Sequence, residues 1–584
     1  MPDTVTPSST VVPMKETKAQ KSERLKLEKN PWEAWDEVRA FAREGRSSVL
    51  PEWAGLYFKW WGVYTQGDGL GVTGGVGGEG KATEYFMMRI GLPNGMLTSA
   101  QLRVIADLTK RYARNLSDIT TRQNIQLHWL TISALVEVVE ALTAVGLSPK
   151  GACGDVVRNV TGCPLAGLDA HEVHDASPLA QEIAHKLTAN PEFYNLPRKF
   201  KISATGCPLW CSYPEINDLS FTALRRPAAQ GTDEIGYALR VGGGLSTEPH
   251  MAVRIPAFVR QDQAYAVCEA TCRIFKEQSE LRENRTRARI KYLFMRHGWT
   301  AESFLVALEE KLGYKLAPLS TDDPAETVPD DVYRDHIGVT PQRKQGLSAV
   351  GASVLRGRLS GDQLLRLAEL SERFGSGELR TTIMQNILLV NVPNEKVQGL
   401  IAELKAIDLH VDVTPFWRGA IACTGTEFCK LAIAETKAFS KWLVEEMEER
   451  MPSFDQQIKL HVTGCTNSCG QHWIADIGLE GKKIKKDGVS VDAFFFCVGG
   501  AVGRNARAAR PLGYRAAADE VPAAIERLLR GYLGARHGAE DLRSYFARTA
   551  DEDLRAQLTG TTPDKLPLPV ERDAPPAGHP APDA

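Results

Sequence analysis

The chain has 584 residues, 43% hydrophobic and 24% charged, with a formal net charge of −2. That length requires two or three domains, and the charge excludes a globally basic nucleic-acid binder. No run of eighteen uncharged apolar residues offers a membrane span.

Residues 1–30 are polar and read as a peripheral arm. They lack the apolar run of a secretory signal and carry Asp3, Glu16 and Glu23, so a cytoplasmic protein is expected. Residues 66–81, "QGDGLGVTGGVGGEGK", read as a flexible loop. A phosphate cradle would end in Lys-Ser/Thr or open a helix after a strand, and neither is evident.

The next element occurs twice. "LTSAQLRVIADLTKRY" (97–112) aligns without a gap with "LSGDQLLRLAELSERF" (359–374), and "DITTRQNIQL" (118–127) with "RTTIMQNILL" (380–389) at the same spacing. Thr98 with Gln101, and Ser360 with Gln363, predict capping boxes that start a helix. Leu102, Ile105 and Leu108 continue at helical spacing, as do Leu364, Leu367 and Leu370. A strand follows in each copy. In the first, Ile125, Leu127 and Trp129 alternate with polar Gln126 and His128, the pattern of a half-buried strand. In the second, Leu388 and Val390 are apolar too, which predicts burial on both faces.

A cysteine-bearing module follows each unit. Cys207 and Cys211 of "TGCPLWC" lie 258 residues before Cys465 and Cys469 of "TGCTNSC", and Asp218 before Asp476. The order unit–module–unit–module implies duplication, with a cleft between the halves as the ligand site. The second module offers Cys423-x5-Cys429 with Cys465-x3-Cys469. Four thiolates from two loops suit a [4Fe–4S] cluster or a tetrahedral zinc, and spacing alone does not separate them. Gly464 and Gly470 leave backbone N–H groups free to approach the sulfurs. The first module has Cys163, but the residue six further on is Asp169. Three thiols do not complete a four-cysteine cage, so only the second copy is expected to hold a cluster. The upstream thiols are read as packed or loosely exposed; a second metal site completed by Cys153 is the alternative. Cys268 and Cys272 read as a buried pair on one helix face.

Where the second half places cysteines, the first places cations. Arg158 precedes "TGC". Lys199 and Lys201, just before the other "TGC", occupy alternate positions of a probable strand and so face one side. Arg89 and Arg122 sit in the flanking unit, and Arg122 aligns with Met384, so its charge is not needed by the fold. Together they predict an anion-lined cleft. Residues 561–584 are proline-rich and predict disorder.

These motifs resemble the assimilatory nitrite and sulfite reductases that carry sirohaem and a [4Fe–4S] cluster. The resemblance rests on "ACTGTEFC" with "TGCTNSCGQHW", and on "FMMRIGLPNG", "TTRQNIQ", "RNVTGCPLAG", "LPRKFKIS" and "EINDLSF" in the family's order. It covers residues 50–560. It implies an α+β fold of two pseudo-twofold halves around a central cofactor cleft. The expected parts are an N-terminal arm (1–45), a ferredoxin-like half-unit (46–148), a substrate-side module (149–330), a second half-unit (331–408), a cluster-binding module (409–560) and a disordered tail (561–584).

It further implies that Cys423, Cys429, Cys465 and Cys469 bind the cluster, and that Cys469 also bridges to the sirohaem iron. Arg122 and Gln126 would help hold the sirohaem carboxylates. Arg89, Arg158, Lys199 and Lys201 would bind the anion and deliver protons. With no flavin or nicotinamide module visible, ferredoxin or a similar small protein is the expected donor, and a monomer is expected. Within the family, Lys-x-Lys at Lys199–Lys201 resembles sulfite reducers, and Lys-x-Asn would resemble nitrite reducers. Cys153 also resembles the sulfite-reducing members. Against this, the length and the wording "FMMRIGLPNG" and "GCPLAG" resemble nitrite reducers. Two other readings remain: an oxygenase of the precorrin-3B synthase kind, and a non-catalytic electron-transfer or zinc-stabilised binding protein.

Overall fold

The computed structural model describes residues 16–66, 85–226, 233–319 and 334–572. Residues 67–81 of the glycine-rich stretch, and the tail beyond 572, lie outside them. No helix among the described residues is long and apolar enough to cross a membrane.

The duplicated units fold alike. Helices Ser99–Tyr112 and Gly361–Phe374 each start on the expected capping box. They bury Leu102, Ile105 and Leu108, and Leu364, Leu367 and Leu370. Each unit is a five-stranded sheet, and the two sheets exchange a strand. Met96–Thr98 of the first half pairs with Glu378–Thr381 of the second, and Arg358–Leu359 of the second pairs with Ser117–Ile119 of the first. The exchange is locked reciprocally: Gln123 Nε2 donates to the Thr381 carbonyl and Gln385 Nε2 to that of Ile119, both at 2.9 Å. Gln123 and Gln385 share a left-handed backbone, at φ 61° and 63°. Across the paired helices Arg103 bonds Glu372 and Lys110 bonds Asp362, each at 2.7 Å. These pairs are exposed and add little energy. Burial of the apolar helix and sheet faces, which form one core, holds the halves together.

Each cysteine module is a mixed sheet. Thr161–Gly162, Ile202–Thr205 and Leu219–Arg226 run parallel, as do Ala420–Ala422, Leu460–Thr463 and Ile477–Lys486; antiparallel strands extend both. The cysteine loops leave the C-terminal ends of the parallel strands, where open α/β sheets place their ligands. Asp218 and Asp476 play one role in both: each accepts a backbone N–H, from Lys201 at 2.8 Å and from Lys459 at 2.6 Å. Cys268 and Cys272 are buried on helix Ala264–Glu277.

Both ends are better anchored than their composition suggests. Helices Lys18–Glu28 and Trp35–Glu44 dock on the first half. Trp32, Trp35, Val38 and Phe41 join its core, and buried Lys26 bonds Glu23 at 2.5 Å and Asp155 at 3.5 Å. A single tryptophan or phenylalanine every three or four residues supplies the apolar stripe, which the polar average conceals. At the other end the expected disorder does not extend to residues 561–572. The Val570 N–H donates to the Gly513 carbonyl at 2.8 Å, and Arg572 reaches fully buried Glu480 at 2.7 Å while covering Trp473. Glu480 also faces His472 and Lys482. Burial alone would raise its pKa, but His472 and Arg572 hold it well below the usual carboxylate range. Arg572→Ala is expected to cost about 1–3 kcal/mol, read as a lower urea midpoint with unchanged m-value.

Candidate active site

The first half-unit, the first module and the second module meet around a cavity of about 410 Å³. Its lining holds eight lysines and arginines (Lys59, Arg89, Arg122, Lys199, Lys201, Arg289, Lys430 and Lys437) and, among the described residues, no aspartate or glutamate. Cys423, Cys429, Cys465 and Cys469 line it as well.

Strand pairing places the two lysines. Phe200 bridges Val157 and is fully buried, so Lys199 and Lys201 turn to the other side and reach the cavity. Lys201 is pushed well below its usual pKa by burial, then by Lys199, Arg122, Arg289 and Arg158. Arg289 is fixed by a bidentate bond to Asp218, both contacts 2.8 Å.

Arg89 and Gln126 sit opposite each other on neighbouring strands. Arg89 donates to Cys153 Sγ at 3.3 Å, and its Nε has no partner. Gln126 Nε2 makes a long contact with Met87 Sδ at 3.5 Å. Arg122 is tied to Asn217 Oδ1 at 2.8 Å and to the Asn159 carbonyl at 2.6 Å, with its Nε left unpartnered. Burial, then Arg158, lowers its pKa to about 9. Arg158 does not line the cavity. It stands behind it, donating from Nε to the Ala152 carbonyl at 3.1 Å.

The strand Ile125–Leu130 departs from the half-buried pattern. Gln126 and His128 are buried, and Trp129 takes a positive φ of 65°. The polar face points into the cavity instead of into water. His128 stacks on Phe428 at 4.1 Å and bonds Asp118 at 3.1 Å. Asp118 also takes Arg358 from the exchanged strand at 3.0 Å and Lys437 at 3.6 Å. Burial would raise its pKa, but Lys437 and Arg358 hold it well below the usual carboxylate range.

The four cysteines come from two loops, as spacing suggested. The Gly464 N–H donates to Cys423 Sγ at 3.1 Å, and Asn467 Nδ2 to Cys465 Sγ at 3.1 Å. A Cβ on Gly464 would stand 2.8 Å from the Ala434 carbonyl, so glycine is required for this approach. Gly470 has a different reason: its Cβ would strike the Val462 carbonyl at 2.3 Å. Thr121 donates to the Cys469 carbonyl at 3.3 Å and joins the first half to the cysteine loop. Burial, then Cys423 and Cys429, pushes the Cys469 thiol up to about 12, while Lys199 and Lys201 act in the opposite sense. No three of these four sulfurs lie within 4.8 Å of one another. That spread is wider than one tetrahedral ion takes, since Zn–S bonds of about 2.3 Å put ligand sulfurs roughly 3.8 Å apart.

Motif reading missed His128, Arg289 and Lys437. His128 was signalled by polar alternation but credited to solvent; Arg289 and Lys437 have no local motif.

Residues 153–316 and 415–559 match the family described as "Nitrite and sulphite reductase 4Fe-4S domain", and residues 79–145 and 340–407 match the "Nitrite/Sulfite reductase ferredoxin-like half domain". The chain belongs to the nitrite and sulfite reductase family. It is 36% identical to the assimilatory ferredoxin-dependent nitrite reductase of Haloferax mediterranei over 536 residues, 87% of this chain and 88% of that one. It is 35% identical to a sulfite reductase [ferredoxin] of Mycobacterium tuberculosis over 545 residues, 91% and 96% of the two chains. The structure titled Mycobacterium tuberculosis NirA protein superposes with a TM-score of 0.86 at 34% identity, over 91% of this chain and 97% of that one.

This reductase works with sirohaem and a [4Fe–4S] cluster and performs six-electron reduction of sulfite or nitrite. The site fits both groups. Sirohaem carries eight carboxylates, and the cavity offers cations without competing acids, including the free Nε atoms of Arg89 and Arg122.

Proposed function

We propose that this enzyme reduces sulfite to sulfide in the cytoplasm, with electrons from ferredoxin or a similar small protein, and takes nitrite at the same site. Cys423, Cys429, Cys465 and Cys469 would hold the cluster, with Cys469 the thiolate shared with the sirohaem. Arg122 and Gln126 hold the macrocycle's carboxylates. When bound, the two groups supply single electrons to the anion. Arg89, Lys199 and Lys201 hold its oxygens and stabilise charge as each S–O bond breaks. Lys201, desolvated among cations, gains a proton more readily when a dianion enters and gives it up as oxygen leaves.

The observation that carries the reading is Lys199 and Lys201 together with Cys469 on the wall of one cavity whose lining holds no carboxylate among the described residues. Sulfite is partly a dianion near neutral pH with a third oxygen, so the second ammonium favours it over nitrite. The test is kcat/KM for both anions. Sulfite should be the better substrate, and Lys201→Asn should lower the sulfite-to-nitrite ratio by about tenfold, one charge-assisted hydrogen bond. Higher wild-type efficiency on nitrite would overturn the preference. A visible spectrum without porphyrin-type bands would overturn the whole reading in favour of a zinc-stabilised protein.

A further inference from the structure

The first module repeats the geometry of the cluster module at a place that no macrocycle can share. Thr161 pairs with Ser203 as Ile421 pairs with His461, which puts Cys163 where Cys423 stands. The loops after the central strands also match. Trp210 and Tyr213 have φ 49° and 51°, and Ser468 and Gln471, 258 residues on, have φ 58° and 61°. Val173 N–H bonds the Gly206 carbonyl at 2.8 Å, as Ile433 N–H bonds that of Gly464 at 2.7 Å.

The surroundings differ. Leu388 and Val390 align with Gln126 and His128 of the other half. They are buried against Cys163, Cys207 and Cys211 and fill the space that the cavity occupies opposite them. The three thiols are buried, and their sulfurs all lie within 4.8 Å of one another, the closest set of ligand-type groups among the described residues. That separation suits one tetrahedral ion, with sulfurs roughly 3.8 Å apart. It is tighter than the set that serves the cluster.

A second observation points to a ligand. His336, 5% exposed, has no hydrogen-bond partner at either ring nitrogen. Its ring lies in the field of Cys207, Arg334 and Asp169 but outside the set of sulfurs within 4.8 Å, so it would have to move to bind an ion held there. Asp169, which takes the position of Cys429, is engaged by Arg334 at 2.5 Å, and Arg334 lies 3.8 Å from Cys207 Sγ. Three thiolates around a divalent ion leave one negative charge, which this guanidinium faces.

We propose that Cys163, Cys207 and Cys211 form a second metal site, holding a single zinc ion whose fourth position is taken by a further donor. Thiolates select zinc among common divalent ions, and the burial of all three thiols fits a structural site better than an open catalytic one.

The test is elemental analysis of purified holoenzyme with zinc-edge X-ray absorption. About one zinc per chain is expected, with sulfur scatterers near 2.3 Å. Cys207→Ser and Cys211→Ser should each lose zinc by more than tenfold in chelator competition, with iron per chain unchanged. Wild-type protein that stays zinc-free after equilibration with equimolar zinc would overturn the proposal. So would zinc retained in both variants, zinc bound only by oxygen and nitrogen, or loss of iron in either variant. Should the variants fail to fold, the wild-type sulfur shell decides alone.

Discussion

Cys469→Ser is expected to remove the iron–sulfur signal, uncouple the sirohaem and bring turnover to background. Second-sphere partners of a metal are worth about 10–100-fold in affinity, so loss of a direct thiolate should exceed that. Serine is a harder ligand whose hydroxyl gives up its proton far less readily than a thiol. Burial already holds Cys469 protonated when no metal is present, and a serine there would never ionise. Cys423→Ser, Cys429→Ser and Cys465→Ser should lose the cluster as well. Iron analysis and electron paramagnetic resonance of the reduced protein check this. A Cys469→Ser enzyme with full iron content and a coupled spectrum would place the bridging thiolate elsewhere.

The contrast with Cys207 and Cys211 shows what the sequence could reveal. The duplication, the capping boxes and the meeting of Cys423, Cys429, Cys465 and Cys469 on one cavity were legible because each rests on short local motifs. A capping box spans four residues, and Cys-x3-Cys fits within one loop. The convergence of Cys163, Cys207 and Cys211 was not legible, because their approach depends on parallel pairing of Thr161–Gly162 with Ile202–Thr205. The strand exchange was hidden for the same reason. Met96–Thr98 and Arg358–Leu359 are short and have no strand signature, and their partners are fixed by the packed helices and the reciprocal Gln123 and Gln385 bonds from the other half. Exchange brings Arg358 to Asp118 and so builds the charge network behind His128.

The polar strand face was misread for a different physical reason. Alternation reports that one face is polar, not that it meets water. Gln126 and His128 face a cation-lined cavity and not bulk solvent. Buried polarity facing a cavity whose described lining holds no aspartate or glutamate is therefore the better guide to this site, and it needs three-dimensional placement.

Lys199→Ala and Arg89→Ala are expected to lower kcat/KM for the anion by ten- to a hundredfold, about 1.5–3 kcal/mol for a charge-assisted hydrogen bond. Both side chains line the cavity. Arg158→Ala should cost less, because Arg158 acts from behind through its bond to Ala152 and its field on Arg122 and Lys201. Stability of the protein should not fall in the Lys199 variant, since removing one of several crowded cations relieves repulsion. The pH profile carries the sign. Lys199 is the second cause, after burial, of the lowered Lys201 pKa, so its removal raises that pKa toward the ordinary lysine value. Activity that needs Lys201 protonated falls as pH rises through its pKa. The descending limb of kcat/KM should therefore move to higher pH in Lys199→Ala, even as its maximum drops. A limb that stays in place, or moves to lower pH, would show that Lys201 is not the acid that sets it.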